Sequence, residues 1–216
     1  MSTPPRGGGP GRLIALEGID GCGKSTQARL LAEAVGAQLT FEPGDTRLGR
    51  VLRAVMLGDD RIALSDRAEA LLMAADRAQH VAELIGPALG AGRWIVTDRF
   101  SGSTLAYQGS GRGLDVVALR ALVDWAAAGR WPDLSVLVDV PPDVARDRME
   151  ASSPDRLERL EPDFHRRVRE GFLRQASEEP RAWLVVDGTA TADRVAVAVA
   201  QGVRERLGWP EEAISS

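Results

Sequence analysis

Gly18-Ile19-Asp20-Gly21-Cys22-Gly23-Lys24-Ser25 fits the pattern G-x-x-x-x-G-K-[ST], and the reading of this stretch decides the fold. In such a loop glycines let successive backbone N–H groups converge on anionic oxygens. The lysine adds a point charge, and the hydroxyl reaches an accompanying magnesium ion. Leu13-Ile14-Ala15-Leu16 reads as a buried strand entering the loop, and Thr26 to Glu33 has helical spacing on leaving it, which sets the phosphates on a helix N-terminus. The candidate residues for a nucleoside polyphosphate are therefore Gly18, Ile19, Asp20, Gly21, Cys22, Gly23, Lys24, Ser25 and Thr26, with Ser25 also a candidate magnesium ligand and Lys24 a candidate catalytic cation. Lys24 is the only lysine among 27 basic residues, so a chain that otherwise uses arginine keeps an ammonium at this one place. The alternative is a Gly-rich turn that matches by accident; the flanking strand and helix count against it.

Outward from the loop, 216 residues allow one large domain or two small ones, and one is the better prior. Net charge is -4, which argues against a general polyanion binder and hence against a nucleic-acid partner; attraction to phosphate must come from local clusters. Cys22 is the single cysteine, so no internal disulfide forms, and a cytoplasmic, reducing setting is expected. No apolar run approaches about 18 residues, and Met1 to Pro10 carries no hydrophobic signal core, so no membrane partner is expected. Residues 1–11 and 209–216 read as floppy tails around one domain spanning 12–208.

Aliphatic strands recur between helical stretches: Leu13 to Leu16, Gln38 to Phe41, Trp94 to Thr97, Leu134 to Val140 and Trp183 to Val186. That alternation predicts an α/β fold, a parallel five-stranded sheet with helices on both faces. Apolar residues at three- and four-residue spacing predict helices over Leu48 to Leu57, Asp66 to Leu89, Asp115 to Ala128, Pro142 to Glu150, Asp163 to Ala176 and Ala192 to Leu207. Ser65 and Thr191 read as N-caps.

In open α/β sheets ligands collect at the C-terminal ends of strands, so the residues just after each strand are the ones to inspect. Glu42-Pro43-Gly44-Asp45-Thr46-Arg47 after the second strand is a turn-forming run leading into the helix near Leu48; on its own chemistry an ordinary β-to-α turn with a capped helix and a functional strand end stand about level. Asp98-Arg99-Phe100 after the third places an acid to hold magnesium through water and a guanidinium to grip a second phosphate; a surface ion pair is the alternative. Asp76 and Arg77, inside a long helix, are too polar for a buried face, and solvent is favoured over a cleft. His80 has no partner at metal-ligand spacing and reads as a surface or packed histidine. Arg146, Arg148, Arg156, Arg159, Arg166 and Arg167 flank the breaker Ser152-Ser153-Pro154; they read as a solvated helix pair or as a mobile lid near residues 148–160 that delivers guanidinium groups to a transferring phosphoryl. Cys22 reads first as a small residue filling loop space, and second as a thiol whose pKa is lowered by the helix N-terminus and Lys24, so that oxidation would block nucleotide binding.

Taken together, Leu16 to Thr26, Thr40-Phe41-Glu42-Pro43-Gly44-Asp45-Thr46, Ala75-Asp76-Arg77-Ala78-Gln79-His80, Asp98-Arg99-Phe100 with its downstream Ala106-Tyr107-Gln108-Gly109, Pro132-Asp133-Leu134 and Asp155-Arg156-Leu157-Glu158 resemble the bacterial thymidylate kinase family, in family order and over nearly all of Arg12 to Leu207. The run from Asp98 to Gly109 is the specific part, because phosphate loops are shared by many enzymes. The resemblance implies a P-loop kinase fold, ATP as donor with Mg²⁺, phosphorylation of dTMP to dTDP on the route to dTTP, and a homodimer formed through packed helices. It implies that Asp20 meets the sugar 3′-hydroxyl, Arg77 the base and Arg99 the acceptor phosphate. Thr104 and Gln108 fall in the same substrate set, and Tyr107 lies against the deoxyribose. It implies Ser25 and Asp98 on the metal side and, with no arginine inside the loop, transfer assisted by Arg148 and Arg156 from the lid alongside Lys24 and Arg99.

Three departures from the family pattern stand out. Met73 occupies a position where phenylalanine usually stacks on thymine, which implies looser packing against the base. Phe41 and Asp45 replace an arginine and a glycine, leaving Arg47 or Arg53 to compensate for any lost phosphate contact. Phe100 stands where tyrosine is commoner. Beside this reading stand another nucleoside monophosphate kinase, and a non-catalytic nucleotide switch. A guanine switch would need an Asn-Lys-x-Asp, which a chain with one lysine in its loop cannot contain.

Overall fold

The computed structural model describes residues 11–58, 62–149 and 162–208. Its centre is β1 (Leu13–Glu17), every residue of which is buried. Around it lie β2 (Gln38–Phe41), β3 (Ile95–Asp98), β4 (Leu134–Asp139) and β5 (Trp183–Asp187), in the order β2-β3-β1-β4-β5 with every pairing parallel. A parallel strand covered on both faces must be apolar on both, and β1 is. Ile14 and Leu16 join the larger core with Ala28 and Leu31 of α1 (Lys24–Val35). Leu13 and Ala15 point the other way, into a second cluster with Val81, Ile85 and Phe100. Each large aliphatic buried in this way contributes about 1.5–3 kcal/mol.

The register sets the strand ends side by side. Leu16 pairs with Asp98 and Phe41 with the same Asp98. The backbone ladder runs one step further, from Arg99 N–H to the Leu16 carbonyl at 2.9 Å and from Glu42 N–H to the Asp98 carbonyl at 3.0 Å. Glu17, Glu42 and Arg99 therefore leave the sheet at one level, where the strand order turns outward in both directions from β1.

The helices follow as α2 (Arg47–Arg53), α3 (Asp66–His80), α4 (Gly86–Gly90), α5 (Ser101–Thr104), α6 (Val116–Ala126), α7 (Pro142–Met149), α8 (Pro162–Glu178) and α9 (Ala192–Leu207). Ser65 caps α3, its hydroxyl accepting the Ala68 N–H at 3.3 Å. Thr191 occupies the cap position of α9, but its side chain makes no cap bond, which corrects the expectation there. The long helix expected from Asp66 runs on through a π-helical stretch, Val81–Ile85, into α4.

One helix was not expected. Ser101 to Gly111 forms α5 and a π-helical continuation, Leu105–Gly111. Its glycines, serines and threonine have weak helix propensity, and burial on nearly all sides removes the apolar stripe by which a surface helix is read. Packing against α8 and α6 holds it instead. Among the described residues no helix is long and apolar enough to cross a membrane.

Candidate active site

At the C-terminal ends of β1, β2 and β3 lies a cavity of ≈ 320 Å³. Its floor is the loop between β1 and α1. Gly18 has φ 146 and Gly23, capping α1, has φ 93, backbone values that side chains rarely adopt. At Gly18 a Cβ would also stand 2.8 Å from the Val138 carbonyl. Lys24, the first residue of α1, is 7% exposed, and its ammonium lies 3.2 Å from Asp20 Oδ1. Cys22 is buried at 2%, and burial pushes its thiol up. The low-pKa reading of Cys22 is thereby corrected: desolvation outweighs the nearby cation, and the thiol fills space against Gly18.

Asp20 joins the loop to the rest of the cavity. Besides Lys24 it accepts from Arg99 Nη2 and, at 2.7 Å, from the Tyr107 hydroxyl. Burial alone would raise its carboxyl, but Arg99 and Lys24 hold it well below the usual carboxylate range. Arg99 sits at φ 72, a left-handed conformation that costs a non-glycine residue on the order of 1 kcal/mol. It is kept there by donating to Ser103 Oγ at 3.0 Å and the Gly18 carbonyl at 3.2 Å, with its guanidinium 4.8 Å from the Tyr107 ring centroid. Beneath them Glu17, fully buried, accepts from Ser103 Oγ at 2.6 Å and Phe100 N–H at 3.1 Å. Burial pushes this carboxyl up, partly offset by the Ser103 bond and by Arg99.

At the far end Arg77 is 2% exposed, so the solvent-facing reading of Asp76 and Arg77 fails. Its Nε donates to Glu42 Oε2 at 2.9 Å, Nη2 to the Phe100 carbonyl at 3.0 Å and Nη1 to Thr104 Oγ1 at 3.0 Å. A buried charge this well paired does not need water. Glu42 also meets His80 Nδ1 at 2.9 Å, and His80 Nε2 lies 2.6 Å from Thr40 Oγ1, so His80 is packed rather than metal-binding. Asp76 accepts the Gly44 N–H at 3.1 Å; burial and then the charge of Glu42 push its carboxyl up to about 6. Gln108 lines the cavity and gives its Nε2 to Glu69 at 2.9 Å. Met73 lines the same end, as do Phe41 and Arg53 at its mouth, the latter donating to the Pro43 carbonyl at 2.7 Å.

Asp98 and Ser25 both face the cavity. Asp98 Oδ1 is buried and has no hydrogen-bond partner, and Ser25 brings a hydroxyl to the same cavity. Hard oxygen donors of this kind, few in number and next to phosphate, fit magnesium. Asp98 and Arg99 do not pair with each other, so the surface ion-pair alternative is not what forms.

Of the residues singled out from sequence, Asp20, Gly21, Lys24, Ser25 and Asp98 line the loop end, while Met73, Arg77, Arg99, Thr104, Tyr107 and Gln108 line the remainder. Gly18, Ile19, Cys22 and Gly23 belong to the loop and Thr26 to the first turn of α1, and none of them lines the cavity. Arg148 on α7 is exposed and lies across the outside of the loop, reaching the Gly188 carbonyl at 3.0 Å and the Cys22 carbonyl at 3.4 Å. Arg156 and nearly all of the expected lid lie outside the described residues. Sequence reasoning passed over two acids that fix the side chains of the site. Glu42 stands in the sequence as part of a turn-forming, family-like run with no role of its own, and Glu69 stands unremarked in Ala68-Glu69-Ala70-Leu71-Leu72. A charge inside an apolar helical run was the available signal for Glu69.

Comparison with known proteins gives a consistent answer. Residues 16–198 match the family model described as thymidylate kinase. Over 185 residues the chain is 49% identical to a thymidylate kinase of Chromobacterium violaceum, covering 83% of this chain and 87% of that one. It is 44% identical over 208 residues to a thymidylate kinase of Synechococcus sp. (strain RCC307), covering 91% and 97%. The crystal structure of thymidylate kinase from Ehrlichia chaffeensis superposes with a TM-score of 0.75 at 30% identity, covering 90% of this chain and all of that one.

Proposed function

This chain belongs to the thymidylate kinase family, and from that premise we propose that its cleft transfers the γ-phosphoryl group of ATP to the phosphate of dTMP, giving ADP and dTDP. The observation that carries the reading is one continuous cavity with a phosphate loop at one end, a paired donor and acceptor at the other, and Arg99 between them. Nη1 of Arg77 gives one proton to Thr104 and keeps a second for a carbonyl oxygen. Gln108, whose Nε2 is taken by Glu69, offers Oε1 to an N–H. That pair complements the O4 and N3–H edge of thymine.

The remaining groups act as positioning and charge-stabilising elements, which is most of what phosphoryl transfer asks of a protein. Asp20, with a lone-pair site left after Lys24, Arg99 and Tyr107, accepts from the sugar 3′-hydroxyl. Tyr107 walls the sugar edge, and Met73 packs against the base. Arg99 grips the acceptor phosphate and aligns one of its oxygens with the γ-phosphorus. As the new P–O bond forms, the bond to the β-phosphate oxygen breaks, and negative charge spreads over the transferred group. Lys24 and the loop N–H groups stabilise that charge, and the lid contribution falls to Arg156 and to Arg148, which in this structure rests on the Gly188 and Cys22 carbonyls outside the cavity. Ser25 and Asp98 would hold Mg²⁺, which supplies charge neutralisation between the phosphates when bound.

A homodimer through α3 and α6 is part of the proposal. Leu71, Val117 and Trp125 on these two helices are 58%, 78% and 81% exposed, while the inward faces of the same helices are buried. A cytoplasmic setting is part of the same proposal, and the single-cysteine composition is in keeping with it.

A coupled assay of ATP consumption against dTMP, dUMP, dCMP, dAMP and dGMP tests the reading. dTMP is expected to give the highest kcat/KM. Turnover with another acceptor and none with dTMP would overturn it.

A further inference from the structure

Gln108 reads a base only if its amide faces the right way. The two ends of a carboxamide have nearly the same shape, so the choice between offering C=O and offering NH₂ to the cavity is made by whatever binds the other end. Here that partner is Glu69, which does not line the cavity, is 1% exposed and sits on α3 one side chain behind the site. Its Oε1 accepts Gln108 Nε2 at 2.9 Å, and its Oε2 accepts Arg112 Nη2 at 3.0 Å. Arg112 Nε lies 3.4 Å from Oε1, and Arg112 also pairs with Asp66. A carboxylate beside a guanidinium only accepts hydrogen bonds, so the Gln108 amide nitrogen must face it and the oxygen must face the cavity.

We propose that Glu69 is a positioning residue for base selection: through Gln108 it makes the pocket accept pyrimidines that carry N3–H and reject those whose N3 is an acceptor. The inference deepens the thymidylate reading above and rests on it. Thymine and uracil share the accepted edge. Cytosine presents a bare N3 to Gln108 Oε1 and an amino group to Arg77, so two acceptors and two donors meet.

In the Glu69→Gln variant the new side-chain oxygen stays with Arg112, which only donates, so the new NH₂ turns toward Gln108. Gln108 must then reverse and show its own NH₂ to the base. One hydrogen bond changes from made to opposed, which corresponds to about 10–100-fold in relative acceptor preference. The expected result is that kcat/KM for dTMP and for dUMP falls by the same factor while dCMP holds or improves. The dTMP-to-dCMP ratio drops about 10–100-fold and the dTMP-to-dUMP ratio is unchanged. A merely structural role would depress all three together, and that outcome overturns the proposal.

Two further variants keep the test decisive. Glu69→Ala leaves the amide free to take both orientations and should narrow the dTMP-to-dCMP ratio part of the way; an unchanged ratio counts against the proposal even if the Glu69→Gln chain does not fold. In a Gln108→Ala background the Glu69→Gln change should no longer move the ratio, and a persisting effect would show that Glu69 acts by another route. Wild-type turnover of dTMP is measured in the same series. Its absence would sink the thymidylate reading itself, whereas its presence with an unmoved ratio sinks only the role of Glu69.

Discussion

At the loop end of the cleft, Gly18, Gly23 and Lys24 come from one short run of chain, and most of the binding surface is backbone. At the other end Arg77, Arg99, Tyr107 and Gln108 come from α3, from the turn after β3 and from the π-helical stretch beyond α5. Each is fixed by an acid from another stretch of the chain. Glu42 holds Arg77, Asp20 holds Arg99 and Tyr107, and Glu69 holds Gln108. A backbone site is made correct by conformation, so glycine is its currency. A side-chain site is made correct by orientation, and the orienting groups come from other parts of the chain: Asp20 and Glu42 from the cavity wall, Glu69 from behind it.

Lys24→Met gives the most severe test of that contrast, because the loop end has no second ammonium to take over. kcat should fall about 10³-fold with the fold intact, as judged by an unchanged far-ultraviolet circular dichroism spectrum. Arg99→Ala tests the junction between the two ends. Truncating one partner of a buried, hydrogen-bonded charge pair should cost roughly 100-fold in kcat/KM for dTMP while the KM for ATP moves less than about 3-fold. Equal losses toward both substrates would mean that Arg99 serves the loop end instead.

Glu42→Gln addresses an acid in the cavity wall whose two oxygens are engaged by Arg77 and His80. Arg77 keeps its bonds to Thr104 and Phe100 but loses a charged partner, so KM for dTMP should rise about 10-fold with kcat nearly unchanged. If kcat falls and KM does not, the acids at this end are doing more than orienting.

The mildest effect expected is on stability. Asp76 titrates near its ordinary value of 3.8 when unfolded and near about 6 when folded, so the folded state binds the proton more tightly. Its effect is therefore fully favourable only below the unfolded value, is lost as pH rises from about 4 to about 6, and is level above that. Asp76→Asn keeps an acceptor for the Gly44 N–H and removes the titration. Its melting temperature relative to wild type should rise across that window by roughly 6–12 °C and then stay constant. A difference that does not change with pH would remove Asp76 from the list of buried, titrating groups.

The same contrast explains what could be read from the chain before any coordinates. A loop written in consecutive residues, with strand and helix on its flanks, carries its own signature, and the alternation of aliphatic runs with helical periods gave the five parallel strands within a residue or two of their ends. At the acceptor end Arg99 was legible from its place after the third strand, but the base-facing residues only through family likeness, since Asp76 and Arg77 on physical grounds alone pointed to solvent. Burial of Arg77 depends on Glu42, 35 positions away, and nothing local announces such a partner. The helix from Ser101 escaped notice because long-range packing, rather than propensity or amphipathic pattern, makes it a helix. Glu69 was missed for a related reason: its role exists only once α3 and the π-helical stretch carrying Gln108 lie side by side.

Lys24 has one more consequence, of a practical kind. Because it is the sole lysine of the chain, every amine-directed reagent, from acylating labels to bifunctional crosslinkers and resin couplings, has one side-chain target, and that target is nearly buried and hydrogen-bonded to Asp20. Lysine crosslinking will therefore report almost nothing about this protein's outer surface, and immobilisation through amines will either engage the chain terminus or block the phosphate loop.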